Sequence, residues 1–515
     1  MHNSVESNNT ARVVILSVPF TVPVPAAAPA LLSGCLNASG ISAIGLDFSF
    51  SMYDTFCKQP WWPTMHSLLT LGTSSTKLPL TANVLMVRYV IRYLKNIKEK
   101  YNPEWIGLSL FTSWSLAFSE IMIRLIKKHL PNIKIVLGGR SLELRDGNNF
   151  FYDRYRDRKD VDLIIIGDAE VSFIDAIKND RRGLVISPGQ TQEDLDNIPV
   201  PDWSGYALQK YELHNKNLAG TTVMFPITAS KGCVRKCTFC DVASFWPKYI
   251  YRDGTKVADT IISIYENTGI SSFKFTDNLM NGSITNFRKM NERLVEKAPP
   301  NTIAYNGFAI FRTQQSSPEY DFEVSAKAGC KLVVLGTESG SEKVRKDMKK
   351  KFSNDDIEYS ANQYFKNNIK QVWLFIVGYP TETEADFQET LRLLKWFSPM
   401  AKNNMLTVGV TPPFQVLPNS PLIMNMEIKN QYDFSTQPAH IDKLQHFWES
   451  SLNDENTYLI RAERWRRFVD AVIENKFNWS GVMDIDSTSR VVGNYEKIYK
   501  STARKYIPIH QTGNQ

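Results

Sequence analysis

The chain has 515 residues, of which 43% are hydrophobic and 22% charged. A single hydrophobic core stops growing well below this length, so we expect about two to four globular domains. The net charge of +7 is a small excess of 60 basic over 53 acidic side chains, without a dense basic block. It therefore indicates no nucleic-acid partner.

Six cysteines are too few for a disulfide framework in so long a chain, and they suit a reducing compartment. The first ten residues are polar and contain no signal peptide. No run approaches the roughly 18 apolar residues of a membrane-spanning helix. We expect a cytoplasmic protein with no membrane partner.

The N-terminal region, residues 1–185, alternates short apolar runs with helical patterns. This alternation predicts an α/β domain with a doubly wound parallel sheet. The segment 47–80 is too long for a simple connection, and its aromatic residues could form a lid over a ligand or a packed excursion. The predicted strands are 12–19, 41–46, 105–110, 134–137 and 162–166, and the predicted helices are 26–38, 81–100 and 116–130.

Ligands of doubly wound sheets bind beyond the carboxyl ends of the strands. Ser109 closes the third predicted strand, Gly138 and Gly139 follow the fourth, and Gly167 follows the fifth. Glycine lets a ligand approach the backbone without a Cβ in the way, although a single glycine at a strand end is more often a turn. This edge is a candidate binding site.

A linker at 186–224 leads to a central region, 225–425, with six strand–helix units. Six units are too few for a closed eight-stranded barrel. The C-terminal segment, 426–515, shows no strand pattern and is expected to be mainly helical. Its helix 458–475 carries Arg461, Arg464, Arg466 and Arg467, which form a solvated face or contact an acidic substrate. The central strands are predicted at 225–230, 273–275, 303–307, 331–335, 372–377 and 405–410.

Three cysteines, Cys233, Cys237 and Cys240, follow the first central strand in the sequence KGCVRKCTFCD. A structural zinc site normally has four protein ligands, and the next cysteine, Cys330, lies far along the chain. Three thiolates on one loop suit a cubane iron–sulfur cluster with one iron left open. A zinc knuckle or three incidental thiols are the alternatives.

The C-x3-C-x2-C spacing, with Phe239 before the last cysteine, resembles the radical S-adenosylmethionine (SAM) superfamily. The resemblance implies a partial (β/α)6 barrel over 225–425 and a 4Fe–4S cluster whose open iron chelates SAM. It also implies SAM contacts from Asp277, Arg312 and Glu338 at later strand ends. Asp277 could instead cap a helix, and Arg312 could form a surface salt bridge.

The N-terminal strand ends resemble the cobalamin-binding domain that precedes the radical SAM domain in one large subfamily. That resemblance implies cobalamin at Ser109, Gly138, Gly139 and Gly167. Two features depart from the pattern. No D-x-H-x-x-G motif supplies a histidine to cobalt, and Asp168-Ala169 replaces the usual E-G. A degenerate domain kept for packing is therefore the alternative.

Together these features predict a radical SAM enzyme that methylates an unidentified small molecule with the help of cobalamin. It would need an external one-electron reductant of flavodoxin or ferredoxin type. The alternatives are a cobalamin-free radical SAM enzyme with a scaffold N-terminal domain, and a non-catalytic iron–sulfur redox or binding protein. A methylthiotransferase would need a second cysteine triad near the N-terminus, where only Cys35 and Cys57 occur.

Overall fold

The chain forms two compact units in the computed structural model. The first unit comprises Met1–Lys231, Ile250–Thr276 and Lys289–Tyr305, and the second comprises Gly232–Tyr249, Asp277–Arg288 and Asn306–Gln515. The structure describes residues 10–19, 25–71, 77–110, 116–142, 155–217, 223–411, 413–417, 420–424, 428–429 and 448–480. No helix within these ranges is both long and apolar enough to cross a membrane.

The N-terminal sheet of the first unit is parallel, with the strand order β2-β1-β3-β4-β5-β6. This order confirms the doubly wound prediction. The sixth strand was not predicted, because it lies at the sheet edge and is largely exposed, which hides the apolar pattern of a buried strand. The strands are Val13–Ser17 (β1), Ala43–Leu46 (β2), Trp105–Ser109 (β3), Lys134–Gly138 (β4), Leu163–Ile166 (β5) and Gly183–Ile186 (β6).

Helices cover both faces of this sheet and form two hydrophobic cores. The segment 47–80 contributes two helices, and its residues Phe48, Met52, Trp61, Trp62 and Met65 are buried in the larger core. This packing favours the prediction that the segment is a packed excursion over the prediction that it forms a lid above a ligand. The helices are Ala27–Ala38 (α1), Phe48–Phe56 (α2), Trp62–Leu71 (α3), Leu80–Tyr101 (α4), Leu116–His129 (α5), Ala169–Lys178 (α6), Gln192–Asp196 (α7) and Leu208–Asn217 (α8).

A second, seven-stranded sheet has the order β17-β14-β13-β12-β11-β10-β7. All six predicted central strands are present. The strands after residue 224 are Phe225–Ile227 (β7), Ser230–Lys231 (β8), Ile250–Tyr251 (β9), Ser272–Phe275 (β10), Ala304–Ala309 (β11), Cys330–Glu338 (β12), Lys370–Phe375 (β13), Leu406–Gly409 (β14), Ile428–Lys429 (β15), Glu449–Ser450 (β16) and Asn478–Ser480 (β17). The helices are Val242–Phe245 (α9), Gly254–Thr268 (α10), Ile284–Lys297 (α11), Glu319–Lys327 (α12), Glu342–Asp347 (α13), Asn354–Lys366 (α14), Glu384–Lys402 (α15), Pro421–Met424 (α16) and Tyr458–Glu474 (α17).

The C-terminal segment differs from the expectation of no strands. β17 pairs in parallel with β14 and extends the second sheet. A strand of three residues is too short to show the alternation that marks strands in a sequence. The α/β class and the helix near the C-terminus are as predicted.

The arginines of α17 were predicted to face solvent or an acidic substrate, and for Arg461 and Arg464 both interpretations are wrong. Arg461 is buried, donates to the carbonyls of Asn456 and Trp448 at 2.7 Å each, and stacks on the Trp448 ring. Arg464 is also buried and donates to the Glu382 carbonyl at 2.9 Å. Arg461 therefore holds α17 against the segment that precedes it, and Arg464 holds α17 against the loop before α15.

Candidate active site

The cysteine loop, residues 232–240, begins at a glycine that the backbone requires. Gly232 has φ +76°, and a Cβ there would overlap the carbonyl of Lys248. All six cysteines of the chain are free. Cys237 is buried, whereas Cys233 and Cys240 are half-buried. The loop is therefore folded tightly, with its three thiols at different depths.

Burial raises the pKa of all three loop thiols, and nearby groups oppose this rise. The Arg235 N–H donates to Cys233 Sγ at 3.3 Å, and the Val242 N–H lowers the pKa of Cys240. The buried cation of Lys350 lowers the pKa of all three. Ionising an isolated thiol here is unfavourable because the charge would be buried. The Lys350 cation and these N–H groups stabilise a thiolate whose charge is shared with iron.

In the described part of the chain, no three His, Cys, Asp or Glu side chains are gathered around a single point as a metal ion requires. A cubane differs in this respect, because each cysteine binds a different iron and the sulfurs need not converge. The loop thus fits a cluster better than a zinc knuckle. The assignment of the three cysteines as its ligands stays a prediction.

Glu338 ends β12 in an unusual backbone conformation. Its φ is +64°, and the register with β13 shifts between Gly336 and Glu338. Its carboxylate is 2.7 Å from Lys350 Nζ, and the two side chains are only 10% and 8% exposed. A non-glycine residue held at positive φ is strained and often marks a functional site. The predicted SAM contact of Glu338 stays a prediction, but the carboxylate already has a cationic partner.

Arg312 lies shortly after the end of β11, and its guanidinium donates hydrogen bonds to two backbone carbonyls. It donates to Asn281, and to Gly282 at 2.8 Å, while its buried Nε has no partner. Burial lowers its pKa, and the nearby Arg235 lowers it further. The surface salt bridge considered from the sequence is therefore wrong. A guanidinium short of partners suits an anionic ligand group.

Asp277 is buried, and it is not the N-cap of α11, which begins seven residues later at Ile284. The next residue ties this strand end to the cysteine loop, because Asn278 Nδ2 donates to the Gly232 carbonyl at 3.1 Å. Asn281 similarly holds the turn near Arg312 by exchanging two bonds with Ile310. Sequence reasoning missed both asparagines, since a lone asparagine in a loop carries no motif.

At the carboxyl edge of the N-terminal sheet, the predicted residues lie at the ends of β3 and β4 and directly after β4 and β5. A Cβ on Gly139 (φ +113°) would overlap the carbonyl of Leu110, so packing alone requires glycine there. At Gly138 the nearest atom to a Cβ would be the Ile165 carbonyl oxygen, 3.7 Å away. A Cβ on Gly138 would thus meet only an ordinary van der Waals contact, so packing does not require glycine there. Ser109 and Gly167 are partly exposed and exposed, respectively.

Asp168, which departs from the subfamily pattern, belongs to a buried ion cluster. Lys231 Nζ lies 2.8 Å from both Asp168 Oδ1 and Glu170 Oε1. The three side chains are only 11%, 12% and 9% exposed, respectively. Asp168 is therefore paired with a buried cation. The sequence did not reveal Lys231, because its partners lie more than 60 positions away.

The sequence profile of the Radical SAM superfamily matches residues 227–394, which span the cysteine loop, Glu338 and the strands between them. These residues are a radical SAM domain. Such a domain uses a 4Fe–4S cluster and SAM, so the expectation of a radical SAM enzyme with these cofactors is confirmed at the level of the family. Which residues bind them stays a prediction.

Several characterised or named proteins are similar to the chain. A Methanocaldococcus jannaschii protein with a provisional methylthiotransferase name is 26% identical over 62% of this chain and 70% of its own length. The anaerobic magnesium-protoporphyrin IX monomethyl ester cyclase of Rubrivivax gelatinosus is 27% identical over 58% of this chain and 56% of its own. The chain therefore spans little more than half of that relative.

Solved structures match the fold almost end to end. The radical SAM methyltransferase TsrM of Kitasatospora setae, solved with tryptophan and a SAM analogue, covers 96% of this chain with a TM-score of 0.62 at 13% identity. The cobalamin-dependent radical SAM enzyme OxsB, solved with aqua-cobalamin and SAM, covers 96% with a TM-score of 0.61 at 15% identity. The N-terminal sheet and the radical SAM domain thus occur together in known architectures.

Proposed function

We propose that this chain is a cobalamin-dependent radical SAM methyltransferase of a small molecule. The observation that carries the proposal is a doubly wound sheet that precedes a radical SAM domain, with Gly138, which packing does not require to be glycine, at its carboxyl edge. Doubly wound sheets bind ligands at this edge. The similarity of the whole fold to TsrM and OxsB supports the proposal.

The proposed roles follow from the contacts of each residue. Cys233, Cys237 and Cys240 hold the cluster, and Lys350 balances its negative charge. Arg312 contacts the SAM carboxylate through its guanidinium, and Glu338 and Asp277 contact other polar groups of SAM. When bound, the cluster supplies an electron at low potential and cobalamin carries the methyl group, while the protein positions them.

No histidine follows the strand ends of the N-terminal sheet in the sequence, so we expect cobalt without a protein imidazole below it. A cytoplasmic location and an external one-electron reductant complete the proposal. The free state of all six cysteines supports a reducing compartment.

The name of the Methanocaldococcus jannaschii relative raises methylthiotransferase as a second function, and the cysteines oppose it. A second cluster would need a further cysteine triad, but only Cys35 and Cys57 precede the cysteine loop. Cys35 is buried in α1, where burial raises its pKa to about 12. A thiol held protonated in this way is a poor metal ligand.

The experiment is to mix the anaerobically reconstituted protein with hydroxocobalamin, desalt it, and record its iron content and visible spectrum. We expect retained corrin without imidazole ligation. Gly138→Leu should lose the corrin but keep the iron, because the new side chain would project from the carboxyl edge of the sheet, where the corrin is proposed to bind. Lys134→Leu places the same side chain at the opposite end of β4 and should retain both.

Gly139→Leu is a poor test, because its Cβ would collide with the Leu110 backbone and disturb the sheet itself. Corrin that is washed out of the wild-type protein would support the cobalamin-free alternative. Iron and corrin both retained by Gly138→Leu would place cobalamin elsewhere. A wild-type protein that binds iron but never cleaves SAM would support the non-catalytic alternative.

A further inference from the structure

A basic turn, residues 343–351, lies directly against the cysteine loop. Its sequence, KVRKDMKKK, contains five lysines and one arginine within nine residues, so the prediction that the chain has no dense basic block is wrong. The Thr238 N–H donates to the Met348 carbonyl at 3.3 Å, and the Arg235 guanidinium donates to the Lys351 carbonyl at 3.3 Å. The chain thus places a dense positive charge beside the three cysteines.

The lysines of the basic turn divide into one that points inward and four that do not. Lys350 is buried against Glu338, as described above. Lys343 is exposed and paired with Asp386 at 3.0 Å. Lys346, Lys349 and Lys351 are exposed, as is Lys236 on the cysteine loop, and these four form no ion pair with any described residue. The outward charges are therefore available to another molecule.

Lys349 occupies a backbone position that glycine would fill more favourably. It follows α13 in the left-handed conformation, with φ +59°. The Lys349 N–H donates to the Lys346 carbonyl and the Lys350 N–H to the Arg345 carbonyl, which closes the helix. Glycine is the usual residue at this position, because a side chain is disfavoured there. Lys349 therefore adds a positive charge to the basic turn at a small cost in stability relative to glycine.

We infer that Lys236, Lys346, Lys349 and Lys351 form the docking surface for an acidic one-electron carrier protein. The inference rests on the proposed function, since it requires a cluster at the cysteine loop. The carrier is oxidised by one electron and the cluster is reduced by one, with no bond made or broken. The half-buried Cys233 and Cys240 bring the cluster close to this surface.

A charged surface of this kind suits a transient electron-transfer complex. Such complexes bury little area, so steering by opposite charge contributes much of their rate of association. An open cleft of about 420 Å³ lies beside the exposed lysines. Its lining includes Lys346, Lys351 and Phe352, together with the acidic Glu342 and Asp356. It gives the partner a concave contact beside the basic turn.

The test compares two reductants, reduced flavodoxin and dithionite, in SAM cleavage by the reconstituted protein. Lys346→Gln, Lys349→Gly and Lys351→Gln combined should lower the flavodoxin-supported rate by about tenfold or more at low salt. The rate should also depend less steeply on ionic strength, because fewer charges are screened. The dithionite-supported rate should stay unchanged, because a small reductant needs no docking surface.

Lys476→Gly is the matched control for Lys349→Gly. Lys476 is exposed, has φ +60°, and closes α17 with the same pair of backbone bonds. It precedes β17, so it lies at the amino edge of the sheet, whereas the basic turn follows the carboxyl end of β12. Both glycine variants should unfold at the wild-type temperature or above, but only Lys349→Gly should slow the reaction with flavodoxin.

Three results would overturn the inference. One is a triple variant with the wild-type flavodoxin rate and salt dependence. Another is an equal loss with dithionite, which would mean that the lysines act on the cluster itself. The third is wild-type protein that turns over with dithionite but with neither reduced flavodoxin nor reduced ferredoxin at low salt. Failure of the proposed function is distinct, since wild-type protein would then cleave no SAM with dithionite.

Discussion

Lys350 connects two sites that are separate in the sequence. Its ammonium pairs with Glu338 at the end of β12 and lies 5.6 Å from the ring of Phe239 in the cysteine loop. The sequence indicated the loop and Glu338 through motifs, but Lys350 is one of several adjacent lysines without a pattern of its own. Only the fold distinguishes the buried lysine from its exposed neighbours.

Changing Cys233, Cys237 or Cys240 to Ala should abolish iron loading and SAM cleavage, because a cubane with two protein thiolates is poorly held. Cys330→Ala is the control, since Cys330 is buried at the start of β12 and should leave both nearly intact. Iron analysis after anaerobic reconstitution measures the effect. Stoichiometric zinc in place of iron would contradict the cluster assignment.

Glu338→Gln should weaken SAM binding while leaving the cluster assembled, because no thiolate is changed. The loss of a charge-assisted hydrogen bond corresponds to about 1.5–3 kcal/mol. Glutamine keeps the shape of the side chain near Lys350, so it disturbs the fold less than alanine. Titration of the electron paramagnetic resonance signal of the cluster with SAM measures the affinity. An unchanged affinity would make Glu338 a structural partner of Lys350 only.

The elements themselves were largely predictable from the sequence. β1, β3, β4 and β5 are buried apolar runs of four or five residues, and such runs are visible without a structure. β6 and β17 were missed, since an exposed edge strand and a three-residue strand carry little periodicity. The basic face of α17 was misread, because composition cannot tell a solvated arginine from one that bonds buried carbonyls.

The loop between β13 and α15 contains a buried acid that should make stability depend on pH. Burial raises the pKa of Glu382 to about 8, and Arg464, 3.5 Å away, only partly opposes this rise. Between the ordinary value of 4.5 and about 8, the folded protein keeps a proton that the unfolded chain releases. The free energy of unfolding should therefore fall as pH rises through this range.

Glu382→Gln should remove that part of the pH dependence, because glutamine does not titrate and can still accept the bond from the Gly378 N–H. Urea unfolding of the variant and the wild-type protein at about pH 5 and pH 8 measures the difference. Parallel changes in the two proteins would show that Glu382 is ionised throughout. All other titrating groups are the same in the two proteins, so their contributions to the pH dependence of the unfolding free energy cancel in the difference.

Across the whole molecule, the predicted boundaries at 185, 224 and 425 remain a proposal. The first compact unit continues through the predicted linker to Lys231. Within that linker, the Asp202 N–H donates to the Ala30 carbonyl, and Trp203 and Tyr206 are buried. Proline-rich composition therefore predicted a connection, but not that the connection would pack against α1.

Lys231→Met should destabilise this unit strongly, because Asp168 and Glu170 would remain buried without their cation. Removing one partner from a buried ion cluster costs about 3–5 kcal/mol. Lys210→Met is the control, since Lys210 is 57% exposed in its pair with Asp54, and exposed pairs contribute about 0–1 kcal/mol. Chemical unfolding of both variants measures the difference. Similar losses would show that the cluster around Lys231 contributes no more than a surface pair.

The close packing of the predicted linker limits how such a gene can recombine. A Cβ on Gly34 would overlap the Val200 carbonyl, and one on Gly205 would overlap the Gly45 carbonyl. A recombination crossover within 186–224 would join the N-terminal sheet of one parent protein to part of the linker of another. The glycines of the first parent would then face a linker whose backbone need not fit them. Viable breakpoints should fall after Lys231, so that an inherited N-terminal module brings its own linker and its own cation.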